Sequence, residues 1–267
     1  MILSFSLPNP KISQGKRQGF GSAFFRVEMG PPAGRGLCRA VEYPLAETGR
    51  TVYSKQAGRG NMGTFQLYFE LIGAVAFAIS GAALGIRKGM DLFGVAMVGM
   101  TTAVGGGILR DVMLGQTPPA ALQDPTQALV AIAVSVLCFY IWRWRKTEMH
   151  NRYADAVLLV ADSIGLGIFS AHGAAIAIQA GHGANWFLVL FLGTVTGVGG
   201  GVLRDVCCME RPYIFTKHIY ACASLVGAAV CRALWPLGMG LAMLAGCGVT
   251  VVIRICAATL RWSFPKA

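Results

Sequence analysis

An arginine followed by an aspartate occurs twice in this chain, each time after three consecutive glycines inside a long apolar run. The two copies read GGGILRD and GGGVLRD. At the centre of a membrane helix each charged side chain costs about 2.5–3.5 kcal/mol, and each helical glycine costs about 1 kcal/mol relative to alanine. Two copies of so unfavourable a pattern indicate a functional site. Its candidate residues are Gly105, Gly106, Gly107, Arg110, Asp111, Gly199, Gly200, Gly201, Arg204 and Asp205.

The duplication extends well beyond this motif. An offset of 92 residues aligns Glu70 with Asp162, and after a two-residue insertion an offset of 94 aligns Thr102 with Thr196 and the two motifs with each other. We add Glu70 and Asp162 as candidate intramembrane charges, with a position at a helix end in the headgroup zone as the alternative. Thr102 and Thr196 are candidates for lining a pathway through the protein.

The composition is that of a polytopic membrane protein. Hydrophobic residues make up 55% and charged residues 13% of the chain, and the mean hydropathy is +0.57. Soluble domains carry about 25% charged residues. The eight cysteines show no metal-binding or disulfide pattern, so we expect neither a metal site nor a cofactor. The formal charge of +11 does not predict a nucleic-acid partner, because the basic residues lie in the N-terminal segment and in loops beside apolar runs.

Seven apolar segments are each close to the roughly 20 residues that span a bilayer. The first six form two sets of three, so the sequence predicts an all-α membrane protein with two three-helix repeats and a seventh helix. Because three is odd, the two repeats would be inserted in opposite orientations. The seven segments are Gln66–Ile86, Leu92–Leu114, Pro125–Trp142, Ala154–Ile178, Trp186–Cys208, Phe215–Trp235 and Met239–Leu260.

We divide the chain into an N-terminal extension (1–61), two repeats (66–144 and 154–235) and a seventh helix (239–260). The extension is basic and lacks periodicity, and we interpret it as either disordered or absent from a native protein that starts at Met62. The loops 115–124 and 179–185 contain no lysine or arginine, whereas the loops on the other side are basic. This asymmetry predicts an outside N-terminus and a cytoplasmic C-terminus.

Two interpretations of the motif remain open. The glycines at spacing four could serve close helix packing, and the charges could form a structural salt bridge. Alternatively, the charges border a permeation path, since intramembrane ionisable residues usually face a bundle interior or water. We expect both glycine triplets to interrupt helix hydrogen bonding and to approach each other. We also expect Arg110 to pair with Asp205, and Arg204 with Asp111.

At these residues the chain resembles the trimeric intracellular cation (TRIC) channel superfamily, and more narrowly its bacterial inner-membrane branch with two glycine-transporter domains. Besides the paired motif, the matching stretches are Ile79–Gly81, Arg87–Gly94, Asp162–Leu166 and Thr194–Asp205. The resemblance implies a homotrimer in the lipid bilayer of a bacterial inner membrane. It also implies one pore per protomer, bordered by the second and fifth helices. It leaves the solute open between glycine and monovalent cations.

Three functions are compatible with the sequence. A cavity with two arginines and two aspartates offers partners for both charged groups of glycine or a similar small zwitterion, which is the function we favour from the sequence. The alternative is a monovalent cation channel, although the sequence shows no ring of acids. A non-transporting membrane scaffold would leave the buried charges without a purpose. The sequence contains no recognisable nucleophile–base pair or nucleotide-binding loop, so we do not expect an enzyme.

Overall fold

The computed structural model of the chain describes residues 60–144, 151–216 and 219–260. Within these ranges the chain forms helices and no strand. Of the predicted N-terminal extension, only Gly60 and Asn61 fall in the described residues, where they begin the first helix. The remainder of that prediction lies outside the described residues.

The first half of the described chain contains three long helices and one short helix. Helix α1 comprises Gly60–Arg87 and α2 comprises Leu92–Met113. The short α3, Ala120–Gln123, precedes α4, Thr126–Trp144. Long apolar runs form helices in a membrane because a helix satisfies its backbone hydrogen-bonding groups internally.

The second half repeats this order and adds one helix. Helix α5 comprises Asn151–Ala177 and continues into a π turn, and α6 comprises Trp186–Cys207. The short α7, Tyr213–Thr216, precedes α8, Ile219–Ala233. Helix α9, Met239–Thr259, follows. It has no counterpart among the described residues of the first half.

Six helices, α1, α2, α4, α5, α6 and α9, are long and apolar enough to cross a membrane. The described part of the predicted sixth segment, Phe215–Trp235, holds the end of α7, the 15-residue α8 and the start of a 3-10 turn at Trp235–Leu237, and residues 217 and 218 lie outside the described residues. The described residues therefore form an all-helical fold with six long apolar helices.

Equivalent helices begin with equivalent caps. Asp91 Oδ1 accepts a hydrogen bond from the Gly94 amide at the start of α2 over 2.7 Å. Asn185 Oδ1 accepts one from the Leu188 amide at the start of α6 over 3.1 Å. A side-chain acceptor here satisfies one of the free amides of a first helical turn. The duplication seen in the sequence thus extends to local structure.

Helices α1 and α5 pack through a pair of stacked rings. The Phe77 and Phe169 rings lie 5.2 Å apart with an interplanar angle of 12°. Gly165 lies against this pair, and a Cβ atom there would lie 2.2 Å from Phe77 Cδ1. The equivalent Gly73 has Phe169 and Ile168 as neighbours. The glycines therefore provide the space that the two aromatic side chains occupy.

Helices α2 and α6 touch backbone to backbone at the glycine triplets. A Cβ atom on Gly106 would lie 2.1 Å from the Thr196 carbonyl oxygen, and one on Gly200 would lie 2.2 Å from the Thr102 carbonyl oxygen. No side chain larger than hydrogen fits in this contact. Close approach of this kind is the usual role of small residues between membrane helices.

Both helices remain regular through their glycine triplets. Helix α2 is α-helical from Leu92–Met113 and α6 from Trp186–Cys207, so the predicted interruption of hydrogen bonding is wrong. An unsatisfied backbone group in a membrane costs several kcal/mol, which exceeds the helical cost of about 1 kcal/mol per glycine. The tight contact at Gly106 and Gly200 also leaves no space for an unwound turn.

We predict that Gly200→Ala destabilises the protein by about 1–3 kcal/mol, because the new methyl group overlaps the Thr102 carbonyl oxygen. The matched control is Gly248→Ala in α9, where no atom lies within 4 Å of the added Cβ. This control should be neutral or stabilising by up to ~1 kcal/mol. Unfolding in mixed micelles with increasing SDS measures both, and equal effects would contradict the tight contact.

Candidate functional site

The charged candidates form two clusters, which we call site I and site II. Site I consists of Glu70, Arg110, Asp111 and His172. Site II consists of Ser80, Asp162, Arg204 and Asp205, together with side chains from α7–α9 described below. Their members are brought together by ion pairs, hydrogen bonds or a shared cavity.

Helices α1 and α5 each contribute to both sites. Glu70 of α1 belongs to site I, and Ser80 belongs to site II ten residues later, or about 15 Å along the helix. On α5 the order is reversed, with Asp162 in site II and His172 in site I. The sequence offset of 92 relates these residues in pairs. The two helices therefore run in opposite directions between two equivalent sites.

Each motif arginine binds the aspartate that follows it in the chain. Arg110 Nε donates to Asp111 Oδ1 over 2.9 Å, and Arg204 Nε donates to Asp205 Oδ1 over 2.9 Å. The predicted pairs Arg110–Asp205 and Arg204–Asp111 are therefore wrong. The arginine side chain is long enough to fold back along its helix, so adjacent residues can meet although their Cβ atoms diverge.

The second oxygen of each aspartate binds the next short helix. Asp111 Oδ2 accepts from the Ala120 amide over 2.9 Å, and Asp205 Oδ2 accepts from the Tyr213 amide over 3.0 Å. These amides begin α3 and α7, whose first amides have no partner inside the helix. Each aspartate thus links a buried guanidinium to the loop that covers it.

Site II is closed and desolvated. Arg204 and Asp162 are fully buried, and Arg204 Nη1 donates to Asp162 Oδ1 over 2.7 Å and to Ser80 Oγ. Tyr220 of α8 donates to the same Asp162 oxygen over 3.2 Å. The Arg204 guanidinium also lies over the Tyr213 ring at 5.2 Å. Site II therefore has no open space beside its arginine.

A second arginine, Arg254 of α9, completes site II. It is 2% exposed, lies over the Tyr220 ring at 4.6 Å, and places Nη2 3.7 Å from Asp162 Oδ2. The sequence analysis missed Arg254 and Tyr220 because neither has an identical residue in the first repeat. A signal for Arg254 was present, since it is the single charge within the apolar run of α9.

Site I is open. A cavity of about 400 Å³ lies between the start of α1, the end of α2, α3 and the start of α4. Arg110 and Asp111 are almost fully buried in its wall, whereas Glu70 is 27% exposed and lies 3.7 Å from His172 Nδ1. The charged residues that line the cavity are Glu70, Arg110, Asp111 and Asp124. Three carboxylates thus face one guanidinium.

The third glycine of each motif faces a site rather than the opposite helix. Gly107 lines the cavity of site I. At Gly201 an added Cβ would lie 2.5 Å from the Tyr220 hydroxyl oxygen of site II. The first two glycines of each triplet therefore provide the helix contact, and the third lies beside the open cavity in site I and against the Tyr220 hydroxyl in site II.

Substitutions between the repeats explain why one site is open and the other closed. Gln66 at the edge of the cavity corresponds to Leu158, which packs against Tyr213 in the core beside site II. Gln127 of the cavity wall corresponds to Tyr220, because α3 and α7 begin at Ala120 and Tyr213, which sets an offset of 93 residues after the loop. Larger and more apolar side chains thus fill the volume that is empty in site I.

Asp124 keeps its charge at the edge of the cavity. Hydrogen bonds from the Thr126 hydroxyl and amide, at 2.6 and 3.0 Å, lower the pKa of this exposed carboxyl below its usual range. It is therefore ionised at neutral pH. Its negative charge favours the approach of cations to site I.

Thr102 and Thr196 take equivalent positions in helix packing. Their hydroxyl groups donate to the carbonyl oxygens of Val98 and Leu192, both over 2.6 Å, and both residues are fully buried. Each faces a glycine of the neighbouring helix, Gly81 or Gly173. They do not line the cavity of site I.

The glycine transporter family model matches this chain twice, over residues 67–143 and 159–236. Among relatives, a UPF0126 membrane protein of Deinococcus radiodurans is 42% identical over 172 residues, or 64% of this chain and 75% of the relative. The UPF0126 inner membrane protein YadS of Escherichia coli K12 is 35% identical over 196 residues, or 73% of this chain and 91% of the relative.

Solved TRIC structures share the fold. A prokaryotic TRIC channel crystallised in 0.5 M KCl has a TM-score of 0.69 and 30% identity, covering 75% of this chain and 99% of that one. A structure described as the structural basis for conductance through TRIC cation channels has a TM-score of 0.64 and 38% identity, with coverages of 75% and 96%. The TRIC orthologue of Rhodobacter sphaeroides has a TM-score of 0.67 and 32% identity, with coverages of 74% and 100%.

Six apolar helices, a duplicated glycine motif and paired buried ion clusters define a membrane transport protein. The chain belongs to the glycine transporter family and is a bacterial member of the TRIC superfamily. The likeness covers the two repeats, which hold most of the residues of both sites.

We predict that Arg204→Gln destabilises the protein by about 3–5 kcal/mol, because it leaves Asp162 and Asp205 short of a buried positive partner. The matched control is Arg87→Gln, which removes the partially exposed ion pair of Arg87 with Asp155. This pair should contribute about 0–1 kcal/mol. SDS titration in mixed micelles compares the two variants, and similar losses would argue against a buried structural role for Arg204.

Proposed function

We propose that this protein is a channel for monovalent cations, with K⁺ as the physiological ion, and that the cavity of site I is one entrance to its pathway. The observation that carries this proposal is the charge of the cavity. Its lining contains three carboxyl groups, Glu70, Asp111 and Asp124, and one guanidinium, that of Arg110. An acidic cavity with partly apolar walls concentrates cations.

The geometry of the two sites supports transport of glycine as a solute less well than the sequence did. A glycine carboxylate would need a guanidinium that can turn toward it, but Arg110 Nε and Nη2 both lie within 2.9 Å of Asp111 Oδ1. Arg204 is held in the same way and is closed off besides. The cation alternative gains further support from two of the solved structural relatives, which are described as cation channels. We therefore place glycine transport second.

We infer that the pathway continues from site I past Gly107, beside the contact of α2 and α6, toward Gly201 and site II. Along this route Gly107 leaves the space next to Arg110 open, whereas the Tyr220 hydroxyl fills the space beside Gly201. We further propose one such pathway in each protomer of a homotrimer in a bacterial inner membrane. The repeats would be inserted in opposite orientations, with site I open to the outside and the C-terminus cytoplasmic.

Reconstitution into liposomes tests the proposal. The same vesicles should show K⁺ flux down a K⁺ gradient and no accumulation of labelled glycine above protein-free vesicles. Glycine uptake without K⁺ flux would instead select the zwitterion transporter. The absence of both would favour the scaffold.

We predict that Glu70→Gln lowers K⁺ flux at low ionic strength on the order of tenfold, because it removes a cavity carboxylate that attracts the ion. The reduction should shrink at high salt as screening increases. The matched control is Glu210→Gln, at an exposed glutamate paired with Lys88 outside the cavity. Vesicle flux assays over a salt series provide the measurement, and an equal loss in both variants would contradict the role of the cavity.

A further inference from the structure

Helix α9 brings a charge to site II for which site I has no equivalent among the described residues. It packs against α5 and α8 of the second half. From this position Arg254 reaches the side of Asp162 that faces away from Arg204. The structure places Arg204 on Asp162 Oδ1 and Arg254 beside Asp162 Oδ2.

The two arginines bind Asp162 with very different geometry. Arg204 Nη1 lies 2.7 Å from its carboxylate oxygen, whereas Arg254 Nη2 lies 3.7 Å from its own. At that separation no hydrogen bond forms. Asp162 Oδ2 and the Nε and Nη2 atoms of Arg254 are buried without a hydrogen-bond partner among the described residues. Arg254 is therefore held at Asp162 by charge and by stacking on Tyr220.

We propose that the Arg254 guanidinium is a tethered cation that occupies the binding place of a permeating monovalent cation at Asp162 Oδ2 and keeps site II closed. This inference rests on the proposed cation-channel function. Conduction then requires the guanidinium to leave Asp162 while a K⁺ ion takes its place. The loose geometry of the pair permits this exchange, because no hydrogen bond between the two residues has to break.

The charges of the two sites support this assignment. Without Arg254, site II would have Asp162 and Asp205 against Arg204, and therefore an excess negative charge as in site I. An uncompensated buried charge is strongly unfavourable, so a cation beside Asp162 Oδ2 stabilises the site. In the closed structure that cation belongs to the protein itself.

Tyr220 connects Arg254 to the glycine motif. Its ring lies under the Arg254 guanidinium, and its hydroxyl group contacts Asp162 and covers Gly201. The equivalent Gly107 lines the open cavity of site I. Departure of Arg254 would remove the group stacked on Tyr220, so the ring could move away from Gly201 and open the second half of the pathway.

The variant Arg254→Gln tests this inference in the full chain reconstituted in liposomes. It should raise K⁺ flux several-fold above the wild type, and Arg254→Lys, which keeps the charge, should raise it less. The matched control is Arg232→Gln on α8. Arg232 also stacks on an aromatic ring, Trp186 at 5.0 Å, but donates to the Gly183 carbonyl group rather than to an acid. This control should leave the flux near the wild-type level.

A second measurement detects K⁺ binding at Asp162 without relying on flux. The midpoint temperature of unfolding is compared in KCl and in N-methylglucamine chloride at equal concentration. K⁺ should raise the midpoint of Arg254→Gln more than that of the wild type, because a ligand that binds only the folded state stabilises it. The double variant Asp162→Asn with Arg254→Gln should lose this additional K⁺ effect, since the carboxylate is absent.

The outcomes separate this inference from the function on which it rests. No K⁺ flux in any variant would overturn the channel function and this inference with it. K⁺ flux in the wild type without an increase in Arg254→Gln would overturn the inference alone. If Arg254→Gln fails to fold, Arg254→Lys decides, because it keeps a positive charge beside Asp162. A K⁺ flux through Arg254→Lys that does not exceed the wild-type flux would then overturn the inference.

Discussion

The backbone contact between α2 and α6 is the constraint on which the rest of the structure depends. Gly106 and Gly200 leave no space for a side chain between the helices, so the two motifs meet in one fixed register. That register sets where each helix presents its third glycine and its arginine. Each arginine then requires an acidic partner close by, because an isolated guanidinium cannot remain buried in the membrane interior. The aspartate next in the chain supplies it and also holds the following short helix.

Duplication produced two equivalent sites, and a few substitutions made them different. In site I small or polar side chains surround Arg110 and leave an acidic cavity. In site II Leu158, Tyr213 and Tyr220 fill the same volume, and α9 adds a second guanidinium. The two sites therefore share the same arrangement of helices, but only site I is open. Such an arrangement gives the proposed pathway an open half and a closed half without any difference in backbone design.

The sequence predicted the frame well because its signals are local. Long apolar runs gave the bounds of α2, α6 and α9 to within one residue, and the repeated motif identified both Arg–Asp pairs. The sequence could not predict which acid each arginine binds, because that depends on how far the flexible arginine side chain folds back along its helix. The helical cost of the glycine triplets suggested a break, whereas the interhelical contact that keeps them regular is visible only in three dimensions. Arg254 was missed because α9 has no repeat partner to draw attention to it.

Anomalous X-ray scattering from crystals soaked in Tl⁺, a heavy substitute for K⁺, tests the central claim most directly. The account predicts a Tl⁺ peak in the cavity of site I, close to the Glu70 and Asp111 carboxylates, and no peak beside Asp162 while Arg254 remains there. It further predicts that Glu70→Gln weakens the peak. A cavity without Tl⁺ at concentrations that saturate K⁺ flux would contradict a cation pathway through site I.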